Sequence, residues 1–315
     1  MAHRFHNQDL NHRPHGPGAV LRWGLIDRLT GRRRKRPAGP PAPVVSPDRD
    51  LIHSDSGKAR LTWLGHASFL GTVKGCGFLI DPVFSTRAGW LYRRHLPPAL
   101  TLAELPHIEA VLITHNHYDH LDAEACSAFV DDPVFVVPQG LGEWVRRRGR
   151  RRIIELEWWE TARIGGLAVT LVPARHWSRR GLFDTNKTLW GGYVVESDGL
   201  SLYHAGDSAA FEGFAEIGRR FPGLDVAMLP IGGYEPAWFM EHHHLNPEQA
   251  GTAFVELGAR RLVPMHWGSF QLTDEPLCEP LERLRSWWAR QDLRDPRRLH
   301  SLAVGETLVL GSSHD

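Results

Sequence analysis

One stretch limits what this chain can fold into more than any other: EAVLITHNHYDHLD, Glu109 to Asp122. Ala110-Val111-Leu112-Ile113 is a short unbroken apolar run. Such a run reads as a strand buried on both faces. After Thr114 come His115, His117, Asp119 and His120, all within six positions. Imidazole and carboxylate are preferred nitrogen and oxygen ligands of zinc. Packing alone gives no reason to gather three imidazoles and a carboxylate on a turn leaving a buried strand. Such a turn can aim alternate side chains at two metals, whereas a straight helix or strand cannot aim four neighbours at one point.

The rest of the chain supplies strands for that turn to belong to. Strands are expected at 60–64, 68–73 and 77–80, joined by tight turns, with Asp81-Pro82 closing the third. Residues 87–106, rich in Pro, His and Arg, read as a linker. Further strands are expected at 134–137, 153–156, 167–172, 192–195, 200–204, 226–230, 261–265 and 306–310. Helices are expected at 122–130, 141–148, 211–220, 247–257 and 280–290, with Asp122 as an N-cap and Gly149 as a left-handed stop. Strands dominate first and alternate with helices later. That order predicts an α+β domain of two sheets packed face to face, with helices on the outer faces.

Three more ligand types sit just past expected strands: His176, Asp207 and His266. Taken singly, each reads first as a turn cap or a satisfied core residue. Strands that end at one rim bring distant residues together, however. With His115, His117, Asp119 and His120 these three complete a two-metal site. Asp81 is a candidate partner for the outer nitrogen of a metal-bound imidazole. His66 either orients a ligand or caps a turn.

Composition narrows the setting. The 315 residues are 42% hydrophobic and 23% charged, as in ordinary globular proteins. No run of 18 apolar residues suits a membrane-spanning helix, and no apolar segment follows the N-terminal basic residues as in a signal peptide. Three scattered cysteines, Cys76, Cys126 and Cys278, argue for a reducing compartment. The cytoplasm is the expected location, with peripheral contact to the inner membrane face as an alternative for the N-terminal segment.

The first 50 residues hold ten Lys and Arg against four Asp and Glu, and seven of the 22 prolines. Residues 1–55 therefore read as a basic, Pro-rich arm, partly disordered or wrapped on its own domain, and 56–315 as the folded domain. Within the arm, residues 20–29 could form a short amphipathic helix beside the basic run Arg32 to Arg36, and 20–36 is the segment for contact with an anionic membrane. The run Arg146 to Arg152 invites a nucleic-acid reading. Basic residues ending a helix explain it better, so no nucleic-acid partner is expected. Trp158-Trp159 and Trp287-Trp288 read as packing pairs.

His115-Asn116-His117-Tyr118-Asp119-His120 is the HxHxDH signature, and here the chain resembles the metallo-β-lactamase-fold hydrolases. It more closely resembles the N-acyl-phosphatidylethanolamine-hydrolysing phospholipase D-like branch, through WLGHASF (Trp63 to Phe69), LIDPVFSTRA (Leu79 to Ala88), NKTLWGGY (Asn186 to Tyr193), PIGGYEPAWFM (Pro230 to Met240), HLNPEQA (His244 to Ala250) and MHWGSF (Met265 to Phe270). The resemblance spans about 59 to 285. It implies a four-layer αββα sandwich with a di-metal site at one edge of the two sheets. It implies one zinc on His115, His117 and His176, another on Asp119, His120 and His266, and Asp207 bridging both. Iron or manganese could replace zinc at such a mixed nitrogen and oxygen site. The implied catalytic residues are Asp119, His120, Asp207 and His244, the last beside the substrate; His242 and His243 are expected to be exposed. Two departures from that branch leave the ligands intact and bear on substrate contacts. Ala237 stands where the branch has Arg, and Asp207-Ser208-Ala209-Ala210 stands where it has Asp-Thr-Gly-Tyr.

The function so implied is a di-zinc hydrolase that cleaves a phosphodiester, of a small molecule or a phospholipid, with a metal-bridging hydroxide. The alternatives are a lactonase of the ascorbate-6-phosphate type and a non-catalytic metal-binding regulatory protein. Oligomeric state is not legible in the sequence.

Overall fold

The computed structural model describes residues 4–8, 15–33, 39–291, 293 and 298–311. Its first sheet has seven strands in the order Thr307–Leu310, Ala59–Gly65, Ser68–Val73, Cys76–Ile80, Ala110–Leu112, Val134–Pro138 and Ile153–Leu156. The second has six: Arg261–Met265, Val226–Pro230, Leu200–His204, Gly192–Ser197, Leu167–Val172 and Thr161–Ile164. A small hairpin, Arg87–Ala88 with Tyr92–Arg93, stands apart.

The unbroken apolar run at 110–113 follows from its place between two layers. Ala110 and Leu112 belong to the central core, with Val169, Val194 and Leu229 of the second sheet. Val111 and Ile113 belong to an outer core with Leu121, Cys126, Leu141 and Val145 under the helices. Both faces are covered, so no position needs a polar residue. Each fully buried aliphatic side chain contributes ~1.5–3 kcal/mol relative to exposure. Behind the second sheet lie the helices Gly213–Arg220, Pro247–Leu257 and Glu279–Arg290. Asn246 starts the middle one with a capping box to Gln249, and Gly258 ends it in the left-handed conformation. The layer order is therefore helix, sheet, sheet, helix, the αββα sandwich.

Strand direction positions the site. Ala110–Leu112 runs parallel to Cys76–Ile80. Ala59–Gly65 shares that direction, being two antiparallel steps away through Ser68–Val73. In the second sheet Leu200–His204, Val226–Pro230 and Arg261–Met265 run parallel, and Leu167–Val172 shares their sense through Gly192–Ser197. The C-terminal ends of these strands meet at one rim. His66, Asp81, His115, His176, Asp207 and His266 all follow such ends.

Several expectations need correction. The linker 87–106 contains the small hairpin and a 3-10 turn, Leu102–Glu104. Thr161–Ile164 is an unforeseen edge strand of only four residues with alternating burial. Ala237–Met240 and Arg49–Ile52 are one-turn helices too short for a periodic signal. The helix expected at 141–148 is confined to Gly142–Arg146. The helix capped by Asp122 is Ala123–Ala128, because Phe129 is already extended.

The arginine cluster is absorbed by the fold. Arg146 and Arg147 pair with Glu143, Arg148 lies over Trp144, and Arg150 donates to the carbonyls of Ser127, Phe129 and Asp131. Trp158 Nε1 donates to Trp190 O. Trp288 packs on Phe254, and the Trp287 ring occupies the space a side chain at Gly251 would need.

The described parts of the N-terminal arm lie on the domain. Phe5 N donates to Asn186 O, and Val44 bridges Val304. Helical turns run through Pro17–Leu21, Arg22–Ile26 and Asp27–Leu29. Trp23 and Arg33 both bind Asp274. Arg34 to Arg36 of the basic run lie outside the described residues. Among the described residues no helix is long and apolar enough to cross a membrane.

Candidate metal centre

The residues singled out in the sequence converge. His115, His117, His176 and Asp207 each place a ligand atom within 4.8 Å of the others, and so do His66, Asp119, His120 and His266; Asp207, His244 and His266 form a third such group. Asp207 therefore lies between the two halves. Its Oδ2 is 3.2 Å from His120 Nε2 and its Oδ1 is 3.2 Å from His266 Nε2. Asp119 Oδ2 is 3.3 Å from His266 Nε2. Ligand atoms held ~2 Å from one tetrahedral ion lie about this far apart.

The orientations of the His115, His120 and His176 rings are set from outside the centre. Thr114 N and Oγ1 donate to Asp81, at 2.8 and 2.6 Å. His120 Nδ1 donates to the same carboxylate at 2.7 Å, so in the neutral ring the lone pair is on Nε2, facing inward. His115 Nδ1 donates to Thr114 Oγ1 at 3.0 Å, and His176 Nδ1 donates to the carbonyl of His243 at 2.9 Å. Their Nε2 atoms are left as lone pairs facing His117 Nδ1, at 2.9 and 3.1 Å. Three nitrogens this close, two of them unprotonated, suit a cation better than one another. His120 Nε2, His266 Nε2 and Asp207 Oδ1 are likewise buried with no well-directed hydrogen bond. Burying such atoms unpaired is costly. These donor sets fit two metal ions.

The electrostatics agree. Burial disfavours charge on Asp119 and Asp207, yet the His120 ring holds both carboxyls well below the usual range. Burial also disfavours the His266 cation, but Asp207 and Asp119 outweigh it and raise the group to about 9. His120 is raised well above its ordinary value against the same burial, by Asp207, Asp119 and Asp81. Burial and the neighbouring rings hold His115 and His176 well below theirs, and burial takes His117 and His244 down to about 4. The field between the two carboxylates demands buried positive charge, which a metal ion supplies.

Backbone conformation marks the same residues. His66, Asp81 and His266 adopt φ of 55°, 43° and 61°. Left-handed backbone is uncommon outside glycine and clusters at functional sites. Gly233, at φ 87°, makes room for His244, whose ring lies 3.2 Å from where a Cβ would sit.

A cavity of about 360 Å³ opens on the centre, lined by His117, Asp119, Asp207 and His244 and walled by Trp90 and Trp177 among other apolar side chains. A larger hollow of about 680 Å³ beside Arg175 and Glu256 is lined by none of the residues of the centre. Sequence reasoning missed Thr114, which transmits orientation from Asp81 to His115. It also missed Asn7, whose side chain exchanges two hydrogen bonds with the backbone of His176 at 2.7 and 3.1 Å. His243 is buried rather than exposed, its ring lying against His15 and Trp177 while its carbonyl accepts from His176; His242 is exposed.

The model of the beta-lactamase superfamily domain matches residues 77–267. The chain is 36% identical over 302 residues to N-acyl-phosphatidylethanolamine-hydrolyzing phospholipase D 1 of Caenorhabditis elegans, covering 89% of this chain and 85% of the relative. It is 34% identical over 224 residues to a UPF0173 metal-dependent hydrolase of Koribacter versatilis, covering 69% of this chain and 88% of that protein. Among solved structures, Igni18, a metallo hydrolase of Ignicoccus hospitalis, superposes with a TM-score of 0.63 at 26% identity, over 81% of this chain and all of that one.

Proposed function

The chain belongs to the β-lactamase superfamily, with the N-acyl-phosphatidylethanolamine-hydrolysing phospholipase D-like proteins among its relatives, and is a metal-dependent hydrolase; on that premise we propose that it cleaves phosphodiesters with two zinc ions. His115, His117 and His176 hold one ion, Asp119, His120 and His266 the other, and Asp207 both. The observation that carries this reading is the pair of donor sets sharing Asp207. Two metals so held lower the pKa of water toward 7 and offset charge on phosphoryl oxygens.

The chain's own residues do the rest. Asp119 and Asp207 offset part of the 4+ charge of two zincs. Asp81 and Thr114 keep His120 and His115 in the tautomers that leave Nε2 free. His244 faces the cavity with its Nδ1 3.8 Å from Asp207 Oδ2, in reach of a substrate oxygen beside the centre. The aromatic walls favour a substrate with an apolar part, in keeping with an acyl-phospholipid. Contact with an anionic membrane through 20–36 belongs to the same proposal. Val20, Leu21, Leu25, Ile26 and Leu29 are exposed there, and Val20 and Trp23 line the cavity. A cytoplasmic location is part of the same proposal.

Metal-analysed protein assayed on a phosphodiester panel that includes acyl-phosphatidylethanolamines tests the reading. Close to two zincs per chain and hydrolysis abolished by chelation are expected. A zinc-loaded protein that opens lactones and cleaves no phosphodiester refutes the substrate; a folded protein with no turnover at all refutes catalysis.

A further inference from the structure

His66 lies outside the seven proposed ligands, yet its side chain is 1% exposed and its Nε2 lies 3.0 Å from Asp119 Oδ2. Its other ring nitrogen, Nδ1, is buried with no hydrogen bond. The ring is otherwise surrounded by rings: His266 at 4.1 Å, Phe270 edge-on at 5.0 Å and His120 at 5.6 Å between centroids. A turn cap would not need this side chain, because the turn is held through the backbone. His66 N donates to Ser269 Oγ at 2.9 Å, and His66 O accepts from Trp63 Nε1 and from His266 N. Gly or Asn would suit its φ of 55° better. A phenylalanine would fill the same apolar contacts and leave no nitrogen unpaired. The imidazole thus carries two costs, a left-handed backbone and an unpaired Nδ1, for a single polar contact.

We infer that His66 is a positioning residue, whose Nε2–H donates to the Asp119 carboxylate and sets how that carboxylate meets the second metal. A neutral imidazole has one N–H to give, and the carboxylate oxygen facing Nε2 accepts it. The backbone link from His266 N to His66 O, at 3.1 Å, ties this donor to the strand end that carries another ligand of the same ion. Asp119 has exposure to the cavity that His120 and His266 lack, so it is the ligand most in need of an outside restraint. Hydrogen-bond partners of ligating groups typically change metal affinity 10- to 100-fold.

The inference rests on the seven-ligand reading, and the test separates the two. Zinc affinities of both halves are measured by competition with a chromophoric chelator for the wild type, His66→Phe and His66→Gln. Glutamine places an amide N–H near the position of Nε2; phenylalanine keeps the packing without a donor. The expected result is a second-site affinity about 10- to 100-fold weaker in His66→Phe, an unchanged first site, and recovery to within a few-fold in His66→Gln. A wild type that binds one zinc or none overturns the ligand reading itself. Two zincs in the wild type with unaltered affinities in His66→Phe overturn only the role of His66. A loss in His66→Gln as deep as in His66→Phe also overturns it, being what direct ligation by His66 would give. Long-range 1H–15N spectra of the zinc-loaded wild type check the same point without a variant: His66 must carry its proton on Nε2, and an unprotonated Nε2 refutes the inference.

Discussion

Replacing Asp81 by Asn tests the orientation chain at its source. Asp81 is fully buried, and its carboxylate accepts three hydrogen bonds: Oδ1 from Thr114 N, and Oδ2 from Thr114 Oγ1 and His120 Nδ1. Asparagine is the same shape but puts an NH2 group in place of one oxygen. With the NH2 at the Oδ1 position, one bond is lost and two N–H groups face each other. With it at Oδ2, two bonds are lost. Bonds to a charged group contribute ~1.5–3 kcal/mol each, so the first arrangement wins. Removing a buried charge also relieves its desolvation cost, which keeps the net loss near the lower end, about 2 kcal/mol. Urea unfolding of chelator-stripped protein reads that loss directly. Zinc competition reads a second effect: a neutral amide oxygen holds the His120 Nδ1 and Thr114 Oγ1 protons less strongly than the carboxylate does, so affinity drops roughly 10- to 100-fold. Wild-type stability together with wild-type zinc affinity in Asp81→Asn would refute the claim that this carboxylate orients the centre.

Three further outcomes are expected. His204 is buried between Ala67 O and Gly206 N, and burial lowers it from 6.5 to about 4; the unfolded chain therefore takes up a proton below pH 6.5 that the folded one refuses, so this group's contribution is intact above 6.5 and shrinks as pH falls toward 4. Unfolding free energy of metal-stripped protein should change less steeply with pH across that window in His204→Gln than in wild type, by roughly 1.4 kcal/mol per pH unit. Asn7→Ala removes two bonds to the His176 backbone and leaves buried peptide groups unpaired, costing ~2 kcal/mol; hydrogen exchange read by mass spectrometry should quicken across residues 4–8. Gly206→Ala places a Cβ 2.7 Å from Gly191 O and 2.9 Å from Thr114 Cβ at φ 60°. It should lower stability by ~1–3 kcal/mol and, by displacing the neighbouring Asp207, weaken zinc binding at both halves of the centre in the same competition titration.

Much of the centre was legible because its residues obey local rules. A four-residue apolar run must be covered on both faces, and the turn after it carries ligand types that packing does not call for. His176, Asp207 and His266 were legible only as residues after expected strands. Those strands were found by their buried runs. Short or irregular pieces were not: the hairpin at 87–93, the edge strand Thr161–Ile164 and the one-turn helix Ala237–Met240 are too brief to establish a period. His243 was misplaced because its ring is covered by His15 and Trp177, residues far from it in the chain.

The sequence by itself determined that a metal-type turn leaves a buried strand, since hydrophobic periodicity and residue chemistry act over a few neighbouring residues. Only the tertiary structure decided that strands of both sheets present their C-terminal ends at one rim, that Asp207 lies 3.2 Å from both His120 and His266, and that Asp81 and Thr114 aim the His120 and His115 rings. Those facts depend on strand direction and on contacts at 2.6 to 3.0 Å between residues far apart in the chain. Distances of that kind are fixed by packing two sheets together, and no local pattern encodes them.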